Sequence, residues 1–142
     1  MDLREAVDTL NQGADRYYNN GEIEGDELEI ALRELLSVIK SDIETVEDET
    51  TYSPRQAQIV VLRKVGLSNA GIAFLTVLYN KSGDRDSWKD IRYFRDRYEE
   101  IFGRGELYNT IKPGTVANYY TDAKEKYRAS VRAVEEGEEL FE

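Results

Sequence analysis

Residues 111–127 read IKPGTVANYYTDAKEKY, and this stretch decides the fold. Pro113 suits the first position of a helix, because that position needs no backbone N–H. Four apolar residues follow at steps of four, three and four, namely Val116, Tyr120, Ala123 and Tyr127. This is the spacing of one helix face. The stretch therefore predicts a helix that begins at Pro113, buries this face and turns its other side outward.

The sequence before this helix predicts two more helices that meet at a tight turn. Ser53 and Gln56 fit a capping box, and the helix that they start ends at Gly66. Ser68 can cap the next helix, which reads NAGIAFLTVLYN. Two helices around a short turn that contains glycine are typical of a helix-turn-helix.

A further amphipathic helix is predicted between these elements, over SWKDIRYFRDRYEEIF at residues 87–102. Its large apolar residues fall on one side of the helix, and they are Trp88, Ile91, Phe94, Tyr98, Ile101 and Phe102. The sequence GRGELYN at residues 103–109 ends this helix, since its glycines favour a turn.

The first 50 residues predict an acidic helical hairpin. Apolar residues recur at helical spacing from Leu3 to Tyr17 and again from Leu28 to Val46, around the turn NNGEIEG. Both stripes are narrow, so we expect the hairpin to pack on the rest of the chain or on a second copy. The predicted fold is all-α, with the hairpin over residues 1–50. Residues 51–142 are predicted to form a helix-turn-helix-like domain with an inserted amphipathic helix, a long C-terminal helix and an acidic tail.

Charge is distributed unevenly along the chain, whose formal net charge is -10. Residues 1–52 carry a net charge of -11, residues 53–132 carry +6, and residues 133–142 carry -5. No carboxylate occurs between Ser53 and Asn80. This asymmetry predicts a basic middle that can contact an anionic partner. Acidic ends that fold back on a basic middle would give the same pattern.

Composition excludes several classes of function. The chain contains no cysteine and no histidine, which excludes disulfides, thiolate or imidazole metal sites, and catalysis by either side chain. No carboxylate pair or nucleophile–base pair stands out, so we expect neither an enzyme nor a cofactor. No apolar run is long enough to span a membrane, and the N-terminus lacks the pattern of a signal peptide, so we expect a cytoplasmic protein. Its acidity is typical of a halophilic protein, and many ordinary acidic proteins share it.

The segments YSPRQAQIVVLRKVGLSNAGIAFL and IKPGTVANYYTDAKEKY resemble the DNA-binding domains of sigma-factor region four and of LuxR-type regulators. The first has the proline- and glutamine-containing helix, the G-L-S turn and the I-A helix. The second is similar to the recognition helix, with matches at Ile111, Gly114, Thr115, Val116, Tyr120, Ala123, Lys126 and Tyr127. The resemblance covers residues 52–74 and 111–127. It departs from the family at Gly71, which replaces the acidic residue of a second capping box, and at residues 75–110, where the family has only a short turn.

The resemblance implies a transcriptional regulator that binds double-stranded DNA as a homodimer, with a recognition helix that starts at Pro113. We expect the hairpin or an extension of this helix through Val131 and Val134 to form the dimer interface. Base contacts are expected on the recognition helix, from Thr115, Asn118 and Thr121 with Tyr119 at the edge. Phosphate contacts are expected from Lys112, Arg55, Arg63, Lys64, Ser68 and Asn69, and on the inserted helix from Lys89, Arg92 and Arg97.

A second interpretation is an acidic protein-interaction module that uses the helix-turn-helix only as a scaffold. The outward side of the last helix carries Asp122 and Glu125, where the resembling family often has basic residues. These carboxylates would repel phosphate. In this interpretation the acidic hairpin binds a basic partner or imitates DNA.

Overall fold

The computed structural model describes residues 1–23, 26–84, 88–105 and 107–130. Within these ranges the chain is all helical and contains no strand, which confirms the predicted fold class. The helices are α1 (Leu3–Asn20), α2 (Asp26–Glu49), α3 (Pro54–Lys64), α4 (Asn69–Lys81), α5 (Ile91–Phe102) and α6 (Pro113–Ser130). Short 3-10 turns follow α4 at Ser82–Asp84 and α5 at Gly103–Gly105. The side chain of Tyr127, the residues Val131 and Val134 and the acidic tail lie outside the described part.

Local capping signals set the starts of three helices. The Asp2 carboxylate accepts a hydrogen bond of 2.8 Å from the backbone N–H of Glu5 and so caps α1. At α3 the Ser53 hydroxyl accepts from the N–H of Gln56 at 3.2 Å, and the Gln56 side chain accepts from the N–H of Ser53 at 3.0 Å. The predicted capping box is therefore confirmed. Ser68 caps α4 as expected, with a bond of 2.9 Å from the N–H of Gly71.

The inserted helix α5 begins later than the sequence predicts. Asp90 precedes it with a φ of 54° and makes no side-chain cap. A left-handed residue interrupts a right-handed helix, so α5 starts at Ile91 and Trp88 lies before it. Trp88 packs edge-on against Phe94, with ring centroids 5.5 Å apart. The predicted apolar side is confirmed within α5, because Phe94, Tyr98, Ile101 and Phe102 are all buried.

The helical hairpin shares one hydrophobic core with the rest of the protein. α1 packs along α2 and also against α4, and α2 packs against α3 and α5. Gly13 permits the close approach of three helices, since a Cβ there would lie 2.6 Å from Leu28 of α2 and 3.1 Å from Phe74 of α4. Tyr17 adds a ring contact with Phe74 at 5.6 Å between centroids. Of the two expectations for the hairpin, the structure shows packing on the rest of the chain.

Helices α3 and α4 meet at a sharp bend, and α6 packs across both of them. The chain bends by 117° between α3 and α4. Helix-turn-helix pairs typically cross at about 90–120°. Gly66 lies in the turn with a φ of 112°, which favours glycine. α6 packs against both α3 and α4, with Val116 and Ala123 fully buried.

Asn11 of α1 binds the turn between α3 and α4. Its amide oxygen accepts from the Ser68 N–H at 3.0 Å, and its amide nitrogen donates to the carbonyl of Gly66 at 3.0 Å. In a capping box the Ser68 N–H would instead bind an acidic side chain at position 71. A Cβ on Gly71 would lie only 2.4 Å from the Asn11 oxygen. α1 therefore supplies the missing acceptor, which explains the glycine.

None of the helices in the described ranges is by itself long and apolar enough to cross a membrane. The bent pair α3–α4 meets the criteria of length and composition only when its two helices are taken together. Its apolar residues belong to the core, where Ile59, Leu62, Ile72 and Phe74 are fully buried.

Candidate nucleic-acid interface

The outward face of α6 is open to solvent. Asn118 and Thr121 are exposed, as are Asp122 and Glu125 beside them. These four residues lie opposite the buried face, because successive helical residues are rotated by about 100°. The described part of the inserted segment leaves Asn118 and Thr121 exposed, and its Trp88 is buried against Phe94. A ligand that approaches α6 would therefore meet two neutral polar side chains and two carboxylates.

The start of α6 is fixed to α4. The Ile111 N–H donates to the Thr76 hydroxyl at 3.2 Å. The N–H groups of Thr115 and Val116 donate to the carbonyl of Lys112 at 3.0 and 3.2 Å. These two N–H groups are thus already hydrogen-bonded. The side chain of Lys112, at the same end of α6, is exposed and positively charged. Thr115 itself is half-buried.

Arg55 and Tyr119 bind each other on one side of α6. The guanidinium carbon of Arg55 lies 4.9 Å from the centroid of the Tyr119 ring. Its Nη1 donates to the Tyr119 hydroxyl at 3.4 Å, and its Nε donates to the carbonyl of Gly105 at 3.2 Å. Arg55 therefore joins α3, α6 and the turn after α5, and both residues are half-buried. Lys126 lies on the same side, with its Nζ 3.2 Å from Gln56 of α3.

A second pair of cations flanks α6 at Tyr120. The guanidinium carbon of Arg63 lies 4.7 Å from the centroid of this ring, and the Nζ of Lys124 lies 5.5 Å from it. Lys64, the next residue of α3, is exposed. Because Tyr119 and Tyr120 are consecutive, the two pairs lie on different sides of the helix. Cations therefore flank the acidic outward residues of α6.

Ser68 and Asn69, at the start of α4, are both half-buried. Ser68 caps α4 and its hydroxyl lies 3.2 Å from the Asn11 oxygen, so its polar atoms are already hydrogen-bonded. Asn69 is half-buried, and its amide oxygen is buried without a hydrogen-bond partner. Neither side chain is as accessible as Asn118 or Thr121, which lie on the exposed face of α6.

The three predicted cations of the inserted segment lie on or just before α5, and Arg97 has contacts that connect it with α2. α5 packs against α2 and the turn at 103–105, whereas α6 packs against α3 and α4. Arg97 contacts Glu100 at 3.1 Å, and Glu100 contacts Lys40 of α2 at 2.5 Å. These two cations hold the pKa of the Glu100 carboxyl below its usual value, with the larger effect from Lys40. Arg97 also lines a cleft between α2 and α5, and both Lys89 and Arg92 are exposed on the same segment.

Sequence reasoning did not include Lys124 and Lys126 in the interface. Tyr120 and Lys124 are four residues apart on one helix, and this spacing in the sequence was sufficient to predict their contact. Lys126 was visible only as a motif match. No group of three or more metal-ligating side chains occurs in the described ranges.

Comparison of the chain with protein-family models, with curated proteins and with solved structures gives no match. The resemblance to region-four and LuxR-type domains therefore stays a prediction that rests on the residues themselves.

Proposed function

We propose that the protein is a cytoplasmic regulator of transcription that binds double-stranded DNA with α6 in the major groove. One observation carries the proposal. α6 packs against two helices that meet at 117°, and it turns Asn118 and Thr121 to solvent. The B-DNA major groove is about 12 Å wide and admits a helix. Asn118 can bond adenine, and Thr121 can donate to or accept from a base edge.

The charges around α6 suit a duplex better than the net charge of the chain suggests. Arg55 and Lys126 lie on one side of the helix, and Arg63 and Lys124 lie on the other. Phosphates border the major groove on both sides, so cations at both flanks would meet one strand each. Paired half-sites favour binding as a homodimer.

Fluorescence anisotropy with a mixed-sequence duplex over a salt series tests the proposal. The logarithm of the binding constant should fall linearly with the logarithm of the salt concentration, because phosphate contacts release counterions. Lys112→Glu replaces the exposed cation before α6 and should weaken binding by about tenfold or more at low salt. Arg16→Glu makes the same charge change on the exposed side of α1 and is the matched control.

Two results would reject DNA binding through α6. One is the absence of any anisotropy change at low salt. The other is an equal loss of affinity in Lys112→Glu and Arg16→Glu, since an effect of net charge alone does not depend on position.

A protein-interaction module is the second candidate, because Asp122 and Glu125 occupy the outward face of α6. A basic polypeptide would be attracted by these carboxylates. In this case poly-lysine, and not the duplex, should bind at low salt. The double variant Asp122→Asn/Glu125→Gln should then lose poly-lysine binding, whereas the DNA proposal predicts a gain in duplex affinity from the same change.

A further inference from the structure

The ring of Tyr120 lies between two cations from different parts of the chain. Arg63 comes from α3 and Lys124 from the next turn of α6, at 4.7 and 5.5 Å from the ring centroid. Within the described ranges neither cation forms a salt bridge.

Arg63 also has an unsatisfied hydrogen-bond donor. Its Nε is buried and has no hydrogen-bond partner. A buried donor without an acceptor is unfavourable, and this cost is removed when the guanidinium gains an oxygen acceptor. The guanidinium is planar and lies over the Tyr120 ring, a contact that restricts the side chain before any ligand arrives. A restricted guanidinium loses less side-chain freedom on binding.

We propose that Arg63 and Lys124 form a binding site for one backbone phosphodiester of DNA, with Tyr120 as the residue that positions both cations. This inference rests on the proposed function. Lys124 is three residues from Thr121, so the two side chains are neighbours on the helix surface. A phosphate held by Lys124 would belong to the strand that borders the bases facing Thr121. The guanidinium can donate to two phosphate oxygens, and the ammonium adds a point charge.

The test is the salt dependence of duplex binding by anisotropy. Lys124→Gln removes the charge and keeps most of the side-chain length, and it should lower the salt slope by about 0.9, the value for one phosphate contact. Lys81→Gln is the matched control, because Lys81 also lies over a tyrosine, with its Nζ 5.5 Å from the Tyr17 ring between α4 and α1. Its slope should equal that of the wild type.

Two more variants separate binding from folding. Arg63→Lys keeps the charge but loses the planar fork, so we expect weaker affinity, by about threefold to tenfold, at an unchanged salt slope. Tyr120→Leu removes the ring that lies against both cations and keeps an apolar side chain, so affinity should fall by a similar factor. Circular dichroism should give the same helical signal for all four variants.

The outcomes separate this inference from the proposed function. If the wild type binds the duplex and Lys124→Gln keeps the full slope, the phosphate site is wrong and DNA binding stands. If the wild type does not bind, both are wrong. At constant ionic strength, millimolar inorganic phosphate should not compete with the duplex. Competition that Lys124→Gln abolishes would assign the site to free phosphate and overturn the backbone assignment.

Discussion

Replacement of Gly105 by alanine should destabilise the junction between the inserted segment and α3. Gly105 is buried in the turn after α5. A Cβ at this position would lie 1.8 Å from Oε1 and 2.5 Å from Cδ of Gln58 on α3. Gln58 is only 1% exposed, and its Nε2 donates to the carbonyl of Ile101 at 3.4 Å. The clash therefore cannot be relieved by turning a free side chain into solvent.

The size of the effect follows from these contacts. Overpacking of a buried site costs about 1–3 kcal/mol. A shift of the turn would also weaken the bond from Arg55 to the Gly105 carbonyl, which adds about 1 kcal/mol. The free energy of unfolding should thus fall by about 2–4 kcal/mol, and the midpoint of thermal unfolding by roughly 10 °C.

Gly103→Ala is the matched control in the same turn. A Cβ at Gly103 meets no atom within 4 Å, and its φ of -57° suits any residue. This variant should be as stable as the wild type or more stable by up to about 1 kcal/mol, because alanine restricts the unfolded chain. Urea unfolding followed by circular dichroism measures both. Equal stabilities of the two variants would refute the packing argument at Gly105.

Three further predictions concern stability. Asn11→Ala should lower the free energy of unfolding by about 1–2 kcal/mol in urea, because the Ser68 N–H loses its acceptor, whereas Asn19→Ala on the exposed side of α1 should have no effect. Burial raises the pKa of the Tyr98 phenol well above 10, so wild-type stability should fall as the pH rises above 10. The stability of Tyr98→Phe should fall less steeply with pH than that of the wild type, with slopes that differ by up to about 1.4 kcal/mol per pH unit. Equal slopes of the two proteins, measured by urea unfolding at several pH values, would contradict this. The lowered pKa of Glu100 predicts a stabilising contribution above pH 4.5 that is lost in more acidic buffer, and Glu100→Gln should abolish this part of the acid dependence.

Local signals in the sequence were sufficient for most of the helices. The capping box at Ser53 and the buried face at Val116 and Ala123 depend on residues within a few positions of each other. The start of α5 was misplaced, because the left-handed conformation of Asp90 has no signal in the apolar spacing that placed Trp88 on the helix. Helical periodicity describes a face, and it does not describe where the backbone leaves the helix.

The surroundings of the candidate site were less predictable, because they depend on contacts between distant residues. Asn11 and Ser68 are 57 positions apart, and nothing in either segment indicates that they meet. Arg55 was expected at phosphate, but its partners include Tyr119 and the Gly105 carbonyl. The exposed positions of Asn118 and Thr121 agree with their predicted orientation, since one buried stripe fixes the opposite side of a helix.

The most direct test of the central claim uses the absence of cysteine from the chain. A single cysteine at Asn118→Cys would be the only thiol, and its rate of reaction with a maleimide reports access to the outward face of α6. Asp15→Cys on the exposed side of α1 is the control. With saturating duplex at low salt, the reaction at position 118 should slow by about tenfold or more, while that at position 15 should not change. Equal rates at position 118 with and without bound duplex would contradict the account.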